Sequence, residues 1–361
     1  MSDKKLKVAI VGGGIGVSHI KGYRELPDLF EIDTICDIDQ AKAQKVAAEY
    51  QIPNTCYNFD ELLTRPELDI IDICTPPYLH YSMIKAVLNA GKHAICEKPL
   101  VESVAQIDEL IRLENQTGWR MMPIFQYRFG HGLQKLKLLL DQNVTGQPYV
   151  ANVDTAWRRR EAYYEVPWRG KWKTEMGGAV LGHAIHAHDM LTYIFGPIKS
   201  VFARVATRVN DIEVEDCAAI SLEMQNGALA ALSVTLGSSE EITRHRFTFR
   251  NLSAESNTRP YTNSGDPWVF TGDTPEASSQ IETTLAGFKE LPESYAGEFY
   301  RFYQALQTGG TLPVTLQDAR NSIELVTAIY LSAETGQAVS LPLEPGQVGY
   351  TGWMDFIKLP A

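Results

Sequence analysis

Positive charge is in short supply. Thirty-three lysines and arginines against 44 acidic residues leave a net charge of −11 over 361 residues. So acidic a chain has no basic groove for a nucleic-acid backbone and no basic face to hold it on an anionic membrane. Cysteine is scarce too. Cys36, Cys56, Cys74, Cys96 and Cys217 are odd in number and never fall in a CxxC pair. That excludes a disulfide framework and a cysteine zinc site, and it suits a reducing cytoplasm. No apolar run nears the length that spans a bilayer, and Met1-Ser2-Asp3-Lys4-Lys5 leads into a strand without a cleavable signal pattern. The remaining composition, 44% hydrophobic and 21% charged, is that of a soluble globular protein. At this length one small core is not enough, and two domains are expected.

The first third alternates strands with helices. Lys7 to Val11 is a short β-branched run, the mark of a strand covered on both faces. It breaks into Gly12-Gly13-Gly14-Ile15-Gly16 and then a helix to about Glu25. A strand, a glycine turn and a helix N-terminus together make an anion site suited to a dinucleotide's pyrophosphate. Counted strictly as GxGxxG, Gly12 and Gly14 match while Val17 occupies the third glycine's place. The second strand, about Phe30 to Cys36, ends in Asp37. A carboxylate there can accept the ribose hydroxyls and repel a 2′-phosphate. Ile38 follows where an arginine would suit NADP, so NAD is the expected cofactor; capping of the helix Gln40 to Tyr50 is a second possible use of Asp37. Strands over Ile70–Cys74, Ala94–Glu97 and Met121–Gln126 alternate with helices over Leu79–Ala90 and Val104–Thr117. This is a doubly wound parallel sheet, with residues 1–126 as its domain. Thr75 and Pro76, in the turn after the third of these apolar strands, and His80 just beyond it lie over the same edge.

At that carboxyl edge, where ligands bind in such sheets, stands Ile95-Cys96-Glu97-Lys98-Pro99-Leu100. Proline fixes its own φ and restricts the residue before it, so the Lys98 side chain is aimed rather than free.

Residues 127–361 read differently. A helix from about Gly130 to Asn143 leads into a strand, Tyr149 to Trp157, and then into an aromatic and basic loop. Tyr163, Trp168, Arg169 and Trp172 there, with Tyr127 at the start of the domain, offer flat faces and donors that suit a sugar; a loop pinned by its own aromatics fits equally. Arg158-Arg159-Arg160 offers a bidentate grip on an acidic sugar if one guanidinium, such as that of Arg158, points inward. Gly177-Gly178 then opens a run through His183, His186, His188 and Asp189 that continues as helix to about Phe195. His186 and Asp189 share a helix face, so Asp189 can orient His186 as a proton acceptor. Neither HExxH nor a cysteine supports a metal, and none is expected. Antiparallel strands follow at Val201–Arg208, Asp216–Met224 and Ala228–Leu236, with long polar loops over Asn251–Gln280 and a final helix from Leu316 to Thr335. An open, mostly antiparallel sheet with one apolar face needs a partner, so a homo-dimer or homo-tetramer is expected.

The Gly12–Gly16 turn, Asp37, Glu97-Lys98-Pro99, Gly177-Gly178 with His186 and Asp189, and the ending Ser332-Ala333-Glu334-Thr335-Gly336 together resemble the glucose–fructose oxidoreductase, inositol dehydrogenase and rhizopine-catabolism (Gfo/Idh/MocA) family. The resemblance covers nearly the whole chain. It implies an N-terminal Rossmann domain, a C-terminal α/β domain with an open sheet, and NAD(P)-dependent chemistry on sugars or cyclitols. It makes Lys98 the catalytic lysine and His186 the family's histidine. In one place the chain departs from the pattern: Gly182 stands where many members carry an aspartate, and His183 beside it is the candidate to replace that carboxylate.

Oxidation of a secondary hydroxyl needs a proton removed as hydride leaves. We assign that to His186, with the Lys98 ammonium stabilising charge on the oxygen; exchanged roles for the two are the internal alternative. Two rival functions share the fold. One is an NAD-dependent glycosidase that oxidises C3, eliminates the aglycone, adds water and reduces the ketone back. The other is a non-catalytic NAD-bound sensor.

Overall fold

A computed structural model describes residues 5–357 in two compact units. The first runs to Val101, resumes over Gln106–Gln126 and takes in Pro292–Arg320. The second comprises residues 102–105, Tyr127–Leu291 and the chain from Asn321 onward. A single cut after residue 126 therefore misses a segment that belongs to the first unit.

The first unit is built on six strands: β1 (Leu6–Val11), β2 (Phe30–Cys36), β3 (Asn54–Cys56), β4 (Ile70–Ile73), β5 (His93–Cys96) and β6 (Met121–Pro123). They pair in the order β3-β2-β1-β4-β5-β6, every pair parallel. Val8 to Val11 and all of β4 are buried, as continuous apolar strands between two helical layers require. The chain winds one way from β1 to β3 and the other way from β4 to β6, so the order reverses between β1 and β4. The crevice at that reversal is where such sheets take ligands. The helix Gly16–Arg24 buries Gly16, His19, Ile20 and Tyr23, a 3.6-residue stripe, against the unit's core. The late segment adds the helix Ser294–Thr308, whose Phe299 stacks on Tyr23 at 4.0 Å between ring centroids. Such a stacked pair contributes about 1 kcal/mol beyond its burial.

The second unit carries β7 (Pro148–Arg158), β8 (Ile198–Ala206), β9 (Cys217–Met224), β10 (Leu229–Thr235), β11 (Gly237–Phe249), β12 (Leu252–Glu255), β13 (Val269–Gly272) and β14 (Val339–Ser340). Their order is β13-β12-β11-β7-β10-β9-β8-β14, and only β7 and β10 run parallel. Burial alternates along β7, β9 and β10, so one sheet face is covered and the other is not. Large apolar side chains stand exposed on these strands, among them Phe202, Leu229 and Val269.

Two expectations change. Residues 251–280 are long loop only in part. Residues 256–268 carry no strand or helix, but their flanks form β12, β13 and the helix Pro275–Leu285, whose N-cap Thr274 accepts from the Ala277 N–H with Pro275 in the first turn. That Thr-Pro start is a capping signal, hidden by the polar composition around it. The histidine run is not one helix either. A short turn, Ala179–Gly182, stops at His183, and a new helix, Ile185–Phe195, begins after Ala184.

Candidate active site

In the first unit the glycine turn sits at the reversal of strand order. Gly12 has φ +106°, and a Cβ there would lie 2.4 Å from the Cys74 carbonyl oxygen, so no other residue fits between β1 and β4. A Cβ on Gly16 would come within 2.9 Å of Ile10 Cγ2. Gly16 therefore allows the close helix-to-strand packing that the pattern assigns to its third glycine, and Val17 is not needed for it. Gly14 is exposed and faces open space. A pyrophosphate can approach the backbone there.

Asp37 ends β2 and turns back on this loop. Its Oδ2 accepts from the Gly13 N–H at 2.9 Å and lies 2.8 Å from the Lys42 ammonium, while Oδ1 accepts from the Asp39 N–H at 3.0 Å. Burial opposes its ionisation. Lys42 and the two N–H groups outweigh that and hold the carboxyl below its ordinary range. The cap of the helix Gln40–Glu49 is Asp39, which leaves Asp37 to the glycine turn. Ile15, in the glycine turn, and Ile38, the residue after Asp37, are exposed.

Beneath the turn lies a charged cluster that sequence reasoning missed. His19 has no exposed surface; its Nδ1 is 2.8 Å from Asp72 and its Nε2 3.1 Å from Glu97. Burial works against the cation, but Asp72, and then Cys74, carry its pKa well above the ordinary value. Tyr23 donates to Asp72 at 3.0 Å and Tyr295 to Glu97 at 3.0 Å. The other Glu97 oxygen accepts the Lys98 backbone N–H at 3.0 Å, which ties the half-buried Lys98 to the glycine-turn helix. The only sequence signal was a histidine on the apolar stripe of that helix. Among the described residues, His19, Asp72 and Cys74 form one trio close enough to share a metal ion. An imidazolium facing two carboxylates has no lone pair to give, and burial pushes the Cys74 thiol up to about 12.

The turn after β4 holds Thr75 and Pro76. His80 there is fully buried, with Nε2 2.8 Å from the Thr75 carbonyl and Nδ1 2.9 Å from the Pro99 carbonyl. Burial lowers its pKa, so the neutral ring donates to one carbonyl at a time. It staples that turn to the residue after Lys98 and opens the helix His80–Asn89; of its two readings, a helix-start or a cofactor-packing residue, its burial favours the first.

In the second unit His186 is buried and stacks on Tyr127, with ring centroids 4.4 Å apart and planes 15° from parallel. The neighbouring Arg128 grips Asp189. Sequence reasoning gave Asp189 to His186 because the two share a helix face; the structure sets both Asp189 oxygens against a guanidinium from outside that helix. His183 lies edge-on to Trp157 at 5.5 Å and tilted to Tyr163 at 5.6 Å. Glu215 fixes the turn before it, accepting from the N–H groups of Gly178 and Val180 and from the Tyr330 hydroxyl. Burial pushes its carboxyl up to about 7. A Cβ on Gly178 would lie 1.8 Å from the Glu215 carbonyl oxygen, which explains a glycine there.

The arginine triplet resolves differently from the expectation. Arg158 is exposed, whereas Arg159 continues the inward parity of β7. Arg159 lies over Trp157 and Tyr163 and bonds Glu241 at 2.5 Å and the Tyr261 hydroxyl at 2.6 Å. Arg169 lies between Tyr163 and Trp168, bonds the Tyr163 hydroxyl and stands 3.5 Å from Glu175. Trp172 is not a free face for a sugar. It is buried edge-on to Tyr330 in the core. The period-two pattern of β7 was the signal for Trp157 and Arg159.

A glycine turn and an acidic strand end at the reversal of a parallel sheet, followed by an open mixed sheet, define a two-part NAD-binding oxidoreductase. The chain belongs to the Gfo/Idh/MocA oxidoreductase family: residues 6–125 match its NAD-binding Rossmann fold and residues 137–341 its C-terminal alpha/beta domain. It is 33% identical to an uncharacterised oxidoreductase of Synechocystis over 64% of this chain and 65% of that protein. It is 26% identical to the D-glucoside 3-dehydrogenase of Escherichia coli over 94% of this chain and 99% of that one. Its structure is similar to that of the WlbA dehydrogenase from Bordetella pertussis in complex with NADH and UDP-GlcNAcA, with a TM-score of 0.82, 26% identity, and 95% and 100% of the two chains covered.

Proposed function

We propose that this chain is an NAD-dependent dehydrogenase acting on a secondary hydroxyl of a sugar, sugar acid or cyclitol. The observation that carries the reading is Lys98, half-buried and with its backbone N–H bound by Glu97, at the carboxyl edge of the sheet that also bears the glycine turn. NAD, when bound, supplies the hydride acceptor. The residues that fit it are Gly12, Gly14, Gly16 and Asp37, with Ile15, Thr75 and Pro76 at the rim. The Lys98 ammonium hydrogen-bonds the reacting oxygen and stabilises its growing negative charge. His186 accepts the hydroxyl proton, a contribution of about 3–5 kcal/mol to the barrier for a well-placed base. Arg128 and Asp189 act as positioning residues for the Tyr127–His186 stack. The aromatic and cationic cluster of Trp157, Tyr163, Trp168, Arg159 and Arg169 supports a carbohydrate, with flat faces for C–H surfaces and donors for hydroxyls. The D-glucoside and UDP-sugar relatives support a pyranose ring.

The test is a panel of sugars, sugar acids, cyclitols and aryl glycosides read at 340 nm and by mass. Stoichiometric NADH with a ketone product is the expected result. Phenol release without NADH would instead make the chain a glycosidase working through transient oxidation. Tight NAD binding with no turnover on any member would leave a sensor.

Five free cysteines support a reducing compartment such as the cytoplasm. No helix among the described residues is long and apolar enough to cross a membrane. The exposed apolar side chains on the open sheet support a homo-dimer or homo-tetramer, which light scattering of the purified chain would test.

A further inference from the structure

Asp37 alone would repel a 2′-phosphate, and Ile38, 92% exposed, offers no charge to offset it. A cation arrives from further along the chain. Lys42, in the first turn of the helix Gln40–Glu49, sets its ammonium 2.8 Å from Asp37 Oδ2. Its Cε lies 3.4 Å from where a Cβ on Gly13 would stand, so the side chain folds over the glycine turn. The Gly13 and Asp39 N–H groups bind the same carboxylate. A carboxylate has about four acceptor positions. Three are in use before any ribose reaches it.

We propose that Lys42 sets how steeply this chain refuses NADP: its ammonium offsets the Asp37 charge and offers a 2′-phosphate a donor, while an unphosphorylated ribose must share Asp37 with it. The inference rests on the NAD reading and deepens it. A lysine serves phosphate as a point charge and needs no planar fork. Discrimination here is accordingly shallow, with NADP weaker than NAD but measurable. Lys42 is 42% exposed and can swing between the two partners without unpacking the helix.

The test is calorimetric titration of NAD and of NADP into the full chain without sugar, so turnover does not enter. Lys42→Met should weaken NADP by about tenfold or more and leave NAD within about threefold, or tighten it, because Asp37 is released. Asp37→Asn should tighten NADP, and the double variant should lose that gain. A change in NADP affinity below about threefold on Lys42→Met would overturn the inference, as would equal weakening of both nucleotides, the mark of a lysine that merely holds Asp37 in place. If the unaltered chain bound neither nucleotide, the NAD reading itself would fall, and this inference with it.

Discussion

Arg128 closes a two-bond fork on Asp189, Nε to Oδ2 at 2.7 Å and Nη2 to Oδ1 at 2.6 Å, with both side chains almost fully buried. Tyr193 lies under the guanidinium at 4.8 Å, and the arginine's own carbonyl accepts from Gln134. Removing one member of a buried ion pair leaves an uncompensated charge, which costs about 3–5 kcal/mol. Asp189→Asn should therefore lower the unfolding free energy read from urea titration by that amount. Replacing both, as Arg128→Met with Asp189→Leu, should recover much of the loss. An Asp189→Asn chain that lost activity but kept its stability would return the aspartate to His186.

Lys98→Met should lower kcat by about 10²- to 10³-fold, the usual effect of losing one donor to a developing oxyanion. NAD affinity should stay within about threefold, because the glycine turn and Asp37 hold the dinucleotide. Single-turnover absorbance at 340 nm beside a binding titration separates the two effects. Unchanged turnover would remove Lys98 from the reaction.

The parallel sheet was legible in the sequence because buried parallel strands are short β-branched runs between glycine turns, as in Lys7–Val11 and Ile70–Cys74. Asp37 was legible for the same reason, standing where such a run ends. His19 was not, since one polar residue on an apolar helix stripe looks the same whether its carboxylate partners sit 53 and 78 residues away or nowhere. The fork on Asp189 was hidden likewise: helix periodicity shows neighbours within one element, and Arg128 comes from another. The arginine triplet left open which guanidinium points inward, with Arg158 as the example, although the alternation of β7 already favours Arg159.

The glycines of the turn should divide by what each one touches. Gly14→Ala meets nothing within 4 Å, so the melting temperature should hold while NAD affinity falls by about tenfold or more, as a methyl obstructs the approaching phosphate. Gly16→Ala forces a methyl to 2.9 Å from Ile10, and overpacking of that kind costs about 1–3 kcal/mol. Its melting temperature should drop. If Gly14→Ala left NAD affinity intact, the pyrophosphate would have to lie elsewhere.

The charge of Arg159 is already answered by Glu241, and the Tyr261 hydroxyl accepts a further N–H. Arg159→Ala should raise KM by about tenfold on neutral and acidic sugars alike, because it unpacks Trp157 and Tyr163 rather than removing an anion receptor. Arg158→Ala, on the exposed side of β7, should stay within about twofold of the unaltered chain. A loss confined to acidic sugars after Arg159→Ala would instead mean that the guanidinium meets the substrate.

Two buried histidines fix how the second unit responds to acid. Burial, and then His245, depress His188 to about 3, and its two ring nitrogens have no hydrogen-bond partner. Burial likewise holds His245 down to about 4, with Nε2 against the Ala187 carbonyl and Nδ1 facing the Asn263 amide. Both rings are neutral in the fold, whereas an unfolded histidine titrates near 6.5. As pH falls below that value the unfolded chain takes up the protons first, so stability is intact above about 6.5 and drains as pH drops toward 4. Each ring contributes a loss of up to about 1.4 kcal/mol per pH unit across that window. His188→Leu removes one proton from the balance and strands no hydrogen bond. Its unfolding free energy should match the unaltered chain at pH 7.5 to within about 1 kcal/mol and fall less steeply between pH 6.5 and 4, as measured by urea titration at each pH. An acid limb as steep as before would mean that His188 is already charged in the folded protein.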